Sequence, residues 1–403
     1  MKTPIFTLAI LALSAGSALA GQFEFHDGDR VVLIGSTLIE REQSYGYWEA
    51  AITARNPDKN ITFRNLGWSG DTVWGEARAV FGSPADGYKS LIDHVKAEKP
   101  TVIIVGYGTN ESFAGEQGLP RFKEQYKKLL DDLAVTKARL VLLSPLRIRK
   151  MPPPLPDPAK ANANLKIYSE AIRAEAEQRK ALFVSMFDWL PTDTDREDLY
   201  FESGMHPTAV GYHSMETLWS RALGGPGTVG VVDIDVSTGK EGFGRAVVES
   251  AGSPLSYKVT ERPLPSCSKT WEGELLGSLV MFRNLPEGNY SLRIDGKLMR
   301  TQTTGSKTVL PTERWRQGVS IYNDPDSEQF EQLRRTIIEK NQLYFHRWRP
   351  QNVTYLFLFR KHEQGNNAVE IPKLDPLVET KEKEIAKLSV PREHVFELVP
   401  EKK

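Results

Sequence analysis

The sequence predicts an α/β protein: a three-layer α/β/α sandwich around a parallel five-stranded sheet, followed by a β-rich C-terminal region. Three observations predict it. Five short apolar runs rich in β-branched residues recur between residues 31 and 184, as parallel strands buried on both faces require. Helical stretches with apolar residues at three- and four-residue spacing separate them. After Gly224-Gly225-Pro226-Gly227 the pattern changes to short β-type runs broken by turn signals.

Residues 1–20 read as a secretory signal peptide. They carry one lysine, an apolar stretch too short to span a bilayer comfortably, and a small-residue end at Ala18-Leu19-Ala20. The predicted α/β domain covers 21–227. Its strands are Val31-Val32-Leu33-Ile34, Ile61-Thr62-Phe63, Thr101-Val102-Ile103-Ile104-Val105, Leu140-Val141-Leu142-Leu143 and Ala181-Leu182-Phe183-Val184. Helices are expected over 122–133 and 164–179, and the Pro-rich stretch 151–156 reads as a long surface loop. A small β-rich domain is predicted over 228–312, and a mixed helix and strand region docking on the first domain over 313–403. Within that last region residues 327–343 read as a helix capped by Ser327, and 355–359 as a strand. Residues 379–387 read as a solvated helix, and the final residues as a frayed tail.

Composition excludes several classes. Lys+Arg 52 against Asp+Glu 52 leaves no net charge, so nothing favours nucleic acid as a partner. Beyond the N-terminal segment no run is long and apolar enough for a membrane span. Cys267 is the single cysteine, which excludes an internal disulfide and reads as a small buried hydrophobe. The seven histidines are scattered and form no H-x-x-x-H or H-E-x-x-H pair, and no phosphate loop is present, so no metal or cofactor is expected.

Four segments carry chemistry: Gly35-Ser36-Thr37, residues 65–72 (NLGWSGDT), Gly108-Thr109-Asn110-Glu111 and Gly204-Met205-His206-Pro207. The first three follow predicted strands, and ligands of parallel sheets gather outside the strands' carboxyl ends. A hydroxyl on a tight turn becomes a nucleophile when a histidine takes its proton. Backbone N–H groups and an Asn amide can stabilise the resulting oxyanion.

In this order the segments resemble the SGNH/GDSL hydrolases, secreted esterases and acylhydrolases, over about residues 28–222. The resemblance implies a flavodoxin-like sandwich and places Thr37 at the nucleophile position, with Ser36 where the family has Asp. A one-residue shift would make Ser36 the nucleophile instead. Gly70 matches the glycine whose N–H enters the oxyanion hole, and Asn110 the amide donor, with Glu111 replacing Asp beside it. His206 matches the base. The acid position of the family's D-x-x-H block is Ser203 here, and Glu202 is expected as a substitute acid unless a backbone carbonyl holds the ring. The reaction implied is acyl transfer from an ester, with an O-acetylated polysaccharide as the first substrate to expect. The competing expectation is a degenerate relative that binds an acylated glycan without turnover.

Around these blocks, Trp68 and Trp74 and the stretch Glu40-Arg41-Glu42-Gln43 are candidates to line a substrate cleft, with Trp68 and Glu111 as substrate-binding residues. Arg147 and Arg149 follow the fourth strand and can meet an acidic sugar or water alone. His362 lies in a dense polar stretch, residues 360–367, and reads as structural. Such HRWRPQN and FRKHEQG stretches resemble those that follow SGNH-like segments in secreted planctomycete-type bacterial proteins. The sequence is silent on oligomeric state.

Overall fold

The computed structural model describes residues 23–80, 82–189, 197–223, 230–242, 246–267, 275–303, 307–349 and 370–401. The signal segment, His362 and residues 355–359 lie outside the described residues.

The five predicted runs form one parallel sheet. Its strands are β1 (Arg30–Gly35), β2 (Thr62–Asn65), β3 (Val102–Gly106), β4 (Arg139–Leu143) and β5 (Leu182–Val184), in the spatial order β2-β1-β3-β4-β5. Val31, Leu33, Val102 and Ile104 enter one core, whereas Val32, Ile34, Ile103 and Val105 enter the other. The two-residue period of a strand thus divides each run between two helical layers, which is why the runs are apolar throughout.

The helices are α1 (Thr37–Tyr45), α2 (Tyr47–Arg55), α3 (Pro84–Ala97), α4 (Gly115–Leu133), α5 (Ala159–Arg179), α6 (Glu197–Tyr200), α7 (Ala209–Ser214) and α8 (Glu216–Ala222). In α4 the stripe Phe122, Tyr126, Leu129, Leu130 and Leu133 is buried, the 3.6-residue period seen in the sequence.

The β-rich region is a pair of sheets sharing one core. Its strands are β6 (Val231–Asp235), β7 (Lys240–Glu241), β8 (Ala246–Ser250), β9 (Ser256–Glu261), β10 (Leu276–Arg283), β11 (Asn289–Ile294), β12 (Lys297–Leu298), β13 (Arg300–Thr301), β14 (Val309–Pro311), β15 (Val319–Tyr322) and β16 (His394–Glu401). One sheet runs β13-β15-β10-β6-β7. The other runs β12-β11-β16-β9-β8, with β14 also on β11. Trp315, on the short helix α9 (Thr312–Gln317), is buried between them and donates Nε1–H to Tyr290 O at 3.2 Å.

Two expectations are corrected here. The final residues are not a frayed tail: β16 lies between β11 and β9, its alternate residues His394, Phe396 and Leu398 facing the core. The β-rich unit therefore does not end at 312, because β15 and β16 complete its sheets. The charged helix is α11 (Asp375–Leu388), and it buries Val378, Ile385 and Leu388.

Helix α10 (Pro325–Trp348) joins the two parts. Its cap is Asp324, not Ser327, and Pro325 fills the first position, where no N–H is needed. Phe330, Leu333 and Ile337 pack into the same core as Tyr47 and Trp48 of α2. Lys340, fully buried, bonds both oxygens of Glu49 at 2.7 and 2.8 Å and the Phe63 carbonyl at 3.1 Å. Removing one partner of such a pair typically costs ~3–5 kcal/mol, since a charge is left buried alone.

Candidate active site

Gly35 ends β1 in register with Gly106 of β3. A Cβ on Gly35 would stand 2.4 Å from the Gly106 carbonyl oxygen, so only glycine fits. Ser36 follows, buried; its N–H donates to Gly106 O at 3.3 Å and its carbonyl accepts from Ile39 and Glu40. It is the cap residue of α1, without a side-chain capping bond. Thr37 is the first residue of α1 and is half-buried. Its hydroxyl thus sits at the positive end of a helix, where a developing oxyanion is favoured.

The second segment is threaded against the first turn of α1. Trp68 N–H donates to Gly35 O at 3.0 Å, and Asn65 Nδ2 donates to Ile39 O at 2.6 Å. Gly70 is exposed, with φ +79°, and nothing lies within 4 Å of where its Cβ would be. Asp71 is buried; its Oδ2 accepts from Arg78 Nε at 2.7 Å and from the Tyr107 hydroxyl at 3.0 Å. Asn110 donates Nδ2–H to the Asp71 carbonyl at 2.8 Å. That bond brings the amide of the third segment beside Gly70, and the second amide hydrogen remains for an oxyanion.

Glu111, expected as a substrate-binding residue, turns inward. It is buried, and its two oxygens accept from Val73 N–H and Gly108 N–H, each at 2.8 Å. The carboxylate ties the second segment to the third. Burial raises its pKa to about 7, against the pull of those backbone donors.

His206 lies on a tight loop closed by a bridge between Phe201 and Pro207 and by Glu202 N–H donating to His206 O at 2.9 Å. Gly204, at φ +76°, lets the loop press on Arg149, whose N–H donates to Gly204 O at 2.8 Å. Nδ1 of His206 lies 3.0 Å from the Ser203 hydroxyl oxygen. Glu202, expected as the substitute acid, is engaged elsewhere. Its Oε1 accepts from Arg41 Nη2 at 2.8 Å and from the Tyr45 hydroxyl at 3.2 Å. The imidazole is held below its ordinary pKa, first by burial and then by Arg41, with Glu202 opposing.

The loop is brought to α1 by aromatic contacts. Tyr212 of α7 donates its hydroxyl to Leu38 O at 2.8 Å and stacks on Tyr45 at 4.5 Å between ring centroids. Among the described residues no hydrogen bond joins His206 to Ser36 or Thr37. Catalytic hydrogen bonds are often loose until substrate binds.

Trp68 is already stacked. The Arg349 guanidinium carbon lies 3.6 Å from its ring centroid, and Trp348 meets it edge-on at 5.9 Å. Of the stretch 40–43, Glu42 turns inward and accepts from Trp48 N–H at 2.7 Å. Trp74 lies 4.5 Å under Arg121. Sequence reasoning gave Arg349 no role, although the aromatic and basic run ending in it was visible; Tyr45 and Tyr212 left no signal.

One group of described residues could hold a cation: Glu261, Asp324 and Asp326, buried, with one ligand atom from each within 4.8 Å of the others. It belongs to the junction of β9 with α10, contains no residue of the four segments, and Asp324 already caps α10.

Residues 29–213 match the model of the GDSL-like lipase/acylhydrolase family. That segment, a little under half of the chain, is a GDSL-like lipase/acylhydrolase domain of the SGNH/GDSL type. No curated protein matches the chain. Among solved structures it is similar to a gut microbial diltiazem-metabolizing enzyme, with TM-score 0.69 and 16% identity over 95% of this chain and 100% of that one. That likeness extends beyond the sandwich and concerns the fold. An acetylxylan esterase from Geobacillus stearothermophilus (a catalytic mutant) aligns over 51% of this chain and 98% of its own, with 17% identity and TM-score 0.41. An alpha/beta hydrolase enzyme from the metagenome of Lake Arreo, Spain, aligns over 50% and 97%, with 22% identity and TM-score 0.38.

Proposed function

We propose that the protein is an exported esterase that uses Thr37 as nucleophile and His206 as base, and that deacetylates carbohydrate esters. The carrying observation is that Thr37 heads α1 beside a loop where Asn110 and Gly70 are joined through the Asp71 carbonyl. Thr37 is favoured over Ser36 because it is half-buried, whereas Ser36 is 4% exposed and continues the strand turn.

In the proposed reaction His206 Nε2 takes the Thr37 proton while Nδ1–H donates to the Ser203 hydroxyl oxygen. The Thr37 oxygen attacks the acyl carbonyl. Gly70 N–H, the Asn110 amide and Thr37 N–H receive the oxyanion. The protonated imidazole returns its proton to the leaving alcohol, and water, deprotonated by His206, then releases the acid. The β-methyl of Thr37 restricts χ1 and crowds the tetrahedral centre, so turnover below that of a serine enzyme is expected. Among the described residues no helix is long and apolar enough to cross a membrane. Export and the carbohydrate ester rest on the N-terminal pattern and on the resemblance of the blocks.

The test is hydrolysis of p-nitrophenyl acetate, then of O-acetylated polysaccharides, by the mature chain and by His206→Ala. Activity that collapses in the variant supports the reading. Equal background rates from both, with retained affinity for an acetylated glycan, would replace it with a binding protein.

A further inference from the structure

We propose that Arg349, outside the segment that matches the hydrolase family, is a positioning residue for the oxyanion loop. The inference rests on the esterase reading above and extends it to a residue that none of the four segments contains.

Arg349 follows the last turn of α10 and donates its N–H to Phe345 O at 2.9 Å. The helix is fixed to the hydrolase domain at two earlier points. Lys340 is buried on Glu49, and Arg334 Nη1 donates to Tyr45 O at 2.6 Å. Those anchors deliver the end of α10 to residue 68, where Arg349 stacks at 3.6 Å on the Trp68 ring. From there Nη1 bonds Glu40 Oε2 at 2.9 Å. The same oxygen accepts the Ser69 N–H at 2.5 Å.

The chain Arg349–Glu40–Ser69 therefore ends one residue before Gly70. On the other side Asn110 holds the Asp71 carbonyl. Gly70 itself, exposed and without neighbours around its missing Cβ, is held by these flanking bonds and by the Asp71 N–H that donates to Trp68 O at 2.9 Å and closes the turn around it. Without the guanidinium, half-buried Glu40 loses the cation that pairs with it over the loop among the described residues, and a carboxylate free to turn to water releases Ser69 N–H. Aiming of an N–H at the developing oxyanion acts in the transition state, not on bound substrate, so its loss lowers kcat and leaves KM. Lysine retains the charge but not the planar stack on Trp68.

The experiment compares the mature chain with Arg349→Ala, Arg349→Lys and Glu40→Gln. Three quantities are read: kcat and KM for p-nitrophenyl acetate, Tm, and amide hydrogen exchange over residues 69–71 without substrate. The expected result for Arg349→Ala is a kcat lower by about ten-fold, since misplaced groups lose one to two orders of magnitude, with KM within about two-fold. Exchange at 69–71 rises several-fold. Glu40→Gln gives the same pattern, the double variant adds little, and Arg349→Lys recovers part. Unchanged exchange at 69–71, or unchanged kcat in folded Arg349→Ala, would overturn the proposal. A kcat loss that merely follows a fall in Tm would also overturn it. Should Arg349→Ala fail to fold, Glu40→Gln decides by the same criteria. Failure of the esterase reading shows separately, as equal rates for the wild type and His206→Ala, and the exchange measurement then still decides the positioning role.

Discussion

The Ser203 hydroxyl oxygen stands 3.0 Å from Nδ1 of His206, three residues before it, at the place of the acid in the superfamily's D-x-x-H block. A hydroxyl can accept Nδ1–H and so fix the tautomer that leaves Nε2 free to act as base. It cannot stabilise the imidazolium as a carboxylate does. In the proposed mechanism the site thus keeps the orienting half of the acid's role and gives up the electrostatic half.

This division makes Ser203 testable in both directions. Ser203→Ala removes the orienting bond and should lower kcat/KM by roughly ten- to a hundred-fold, well short of the loss from removing the base. Ser203→Asp should raise kcat/KM above wild type, because the charge now faces the imidazolium. The measurement is steady-state hydrolysis of p-nitrophenyl acetate. A Ser203→Ala variant with wild-type kcat/KM would remove Ser203 from the mechanism.

The pH profile reports on Arg41. Burial and the Arg41 charge hold His206 below the ordinary imidazole pKa of 6.5, while Glu202 opposes them. The base is active when neutral, so the acidic limb of kcat/KM should lie below that value. Arg41→Met removes the cation and should move the limb to higher pH. Glu202→Gln removes the opposing anion and should move it to lower pH. A limb that stays in place in both variants would show that another group titrates.

Much of this was legible in the sequence, for identifiable reasons. The five runs of the sheet are apolar on both faces, a pattern only a doubly covered parallel strand requires. His206 and Asn110 could be singled out as candidates because their neighbours form short blocks. Glu111 was misread because adjacency along the chain does not say which way a side chain turns; it points back to the N–H groups of Val73 and Gly108. Arg349 was not found because its partner Glu40 is 309 residues away. β16 had a visible signal, the alternation of His394, Phe396 and Leu398, outweighed by its terminal place after a charged helix.

Buried carboxylates set the stability profile. Burial raises Glu216 to about 8 and Glu111 to about 7, from the ordinary 4.5 of a glutamate. The folded chain therefore holds protons that the unfolded chain releases above about 4.5. Their contribution is full below that pH and is lost as pH rises through about 7 to 8. The melting temperature should fall between pH 5 and pH 8.5. Glu216→Gln, which has no proton to lose, should flatten that fall and raise Tm at pH 8 by several degrees. Differential scanning calorimetry at both pH values checks it; parallel slopes for the two proteins would contradict it.

The choice between the adjacent hydroxyls follows from where each sits. Ser36 is buried, and its backbone is committed to Gly106 and to the first turn of α1. Thr37 opens the helix and is half-buried. Thr37→Ala should therefore bring hydrolysis to within the background left by the oxyanion donors, about a thousand-fold or more below wild type. Ser36→Ala should retain activity within about ten-fold, losing some packing at the strand end. Thr37→Ser keeps the hydroxyl, frees χ1 and relieves crowding at the tetrahedral centre, and should raise kcat. An active-site phosphonate gives an independent readout, since the mass of the modified peptide identifies the residue that attacked. Labelling at Ser36, with Thr37→Ala still active, would reverse the assignment and move the nucleophile from the helix to the strand turn.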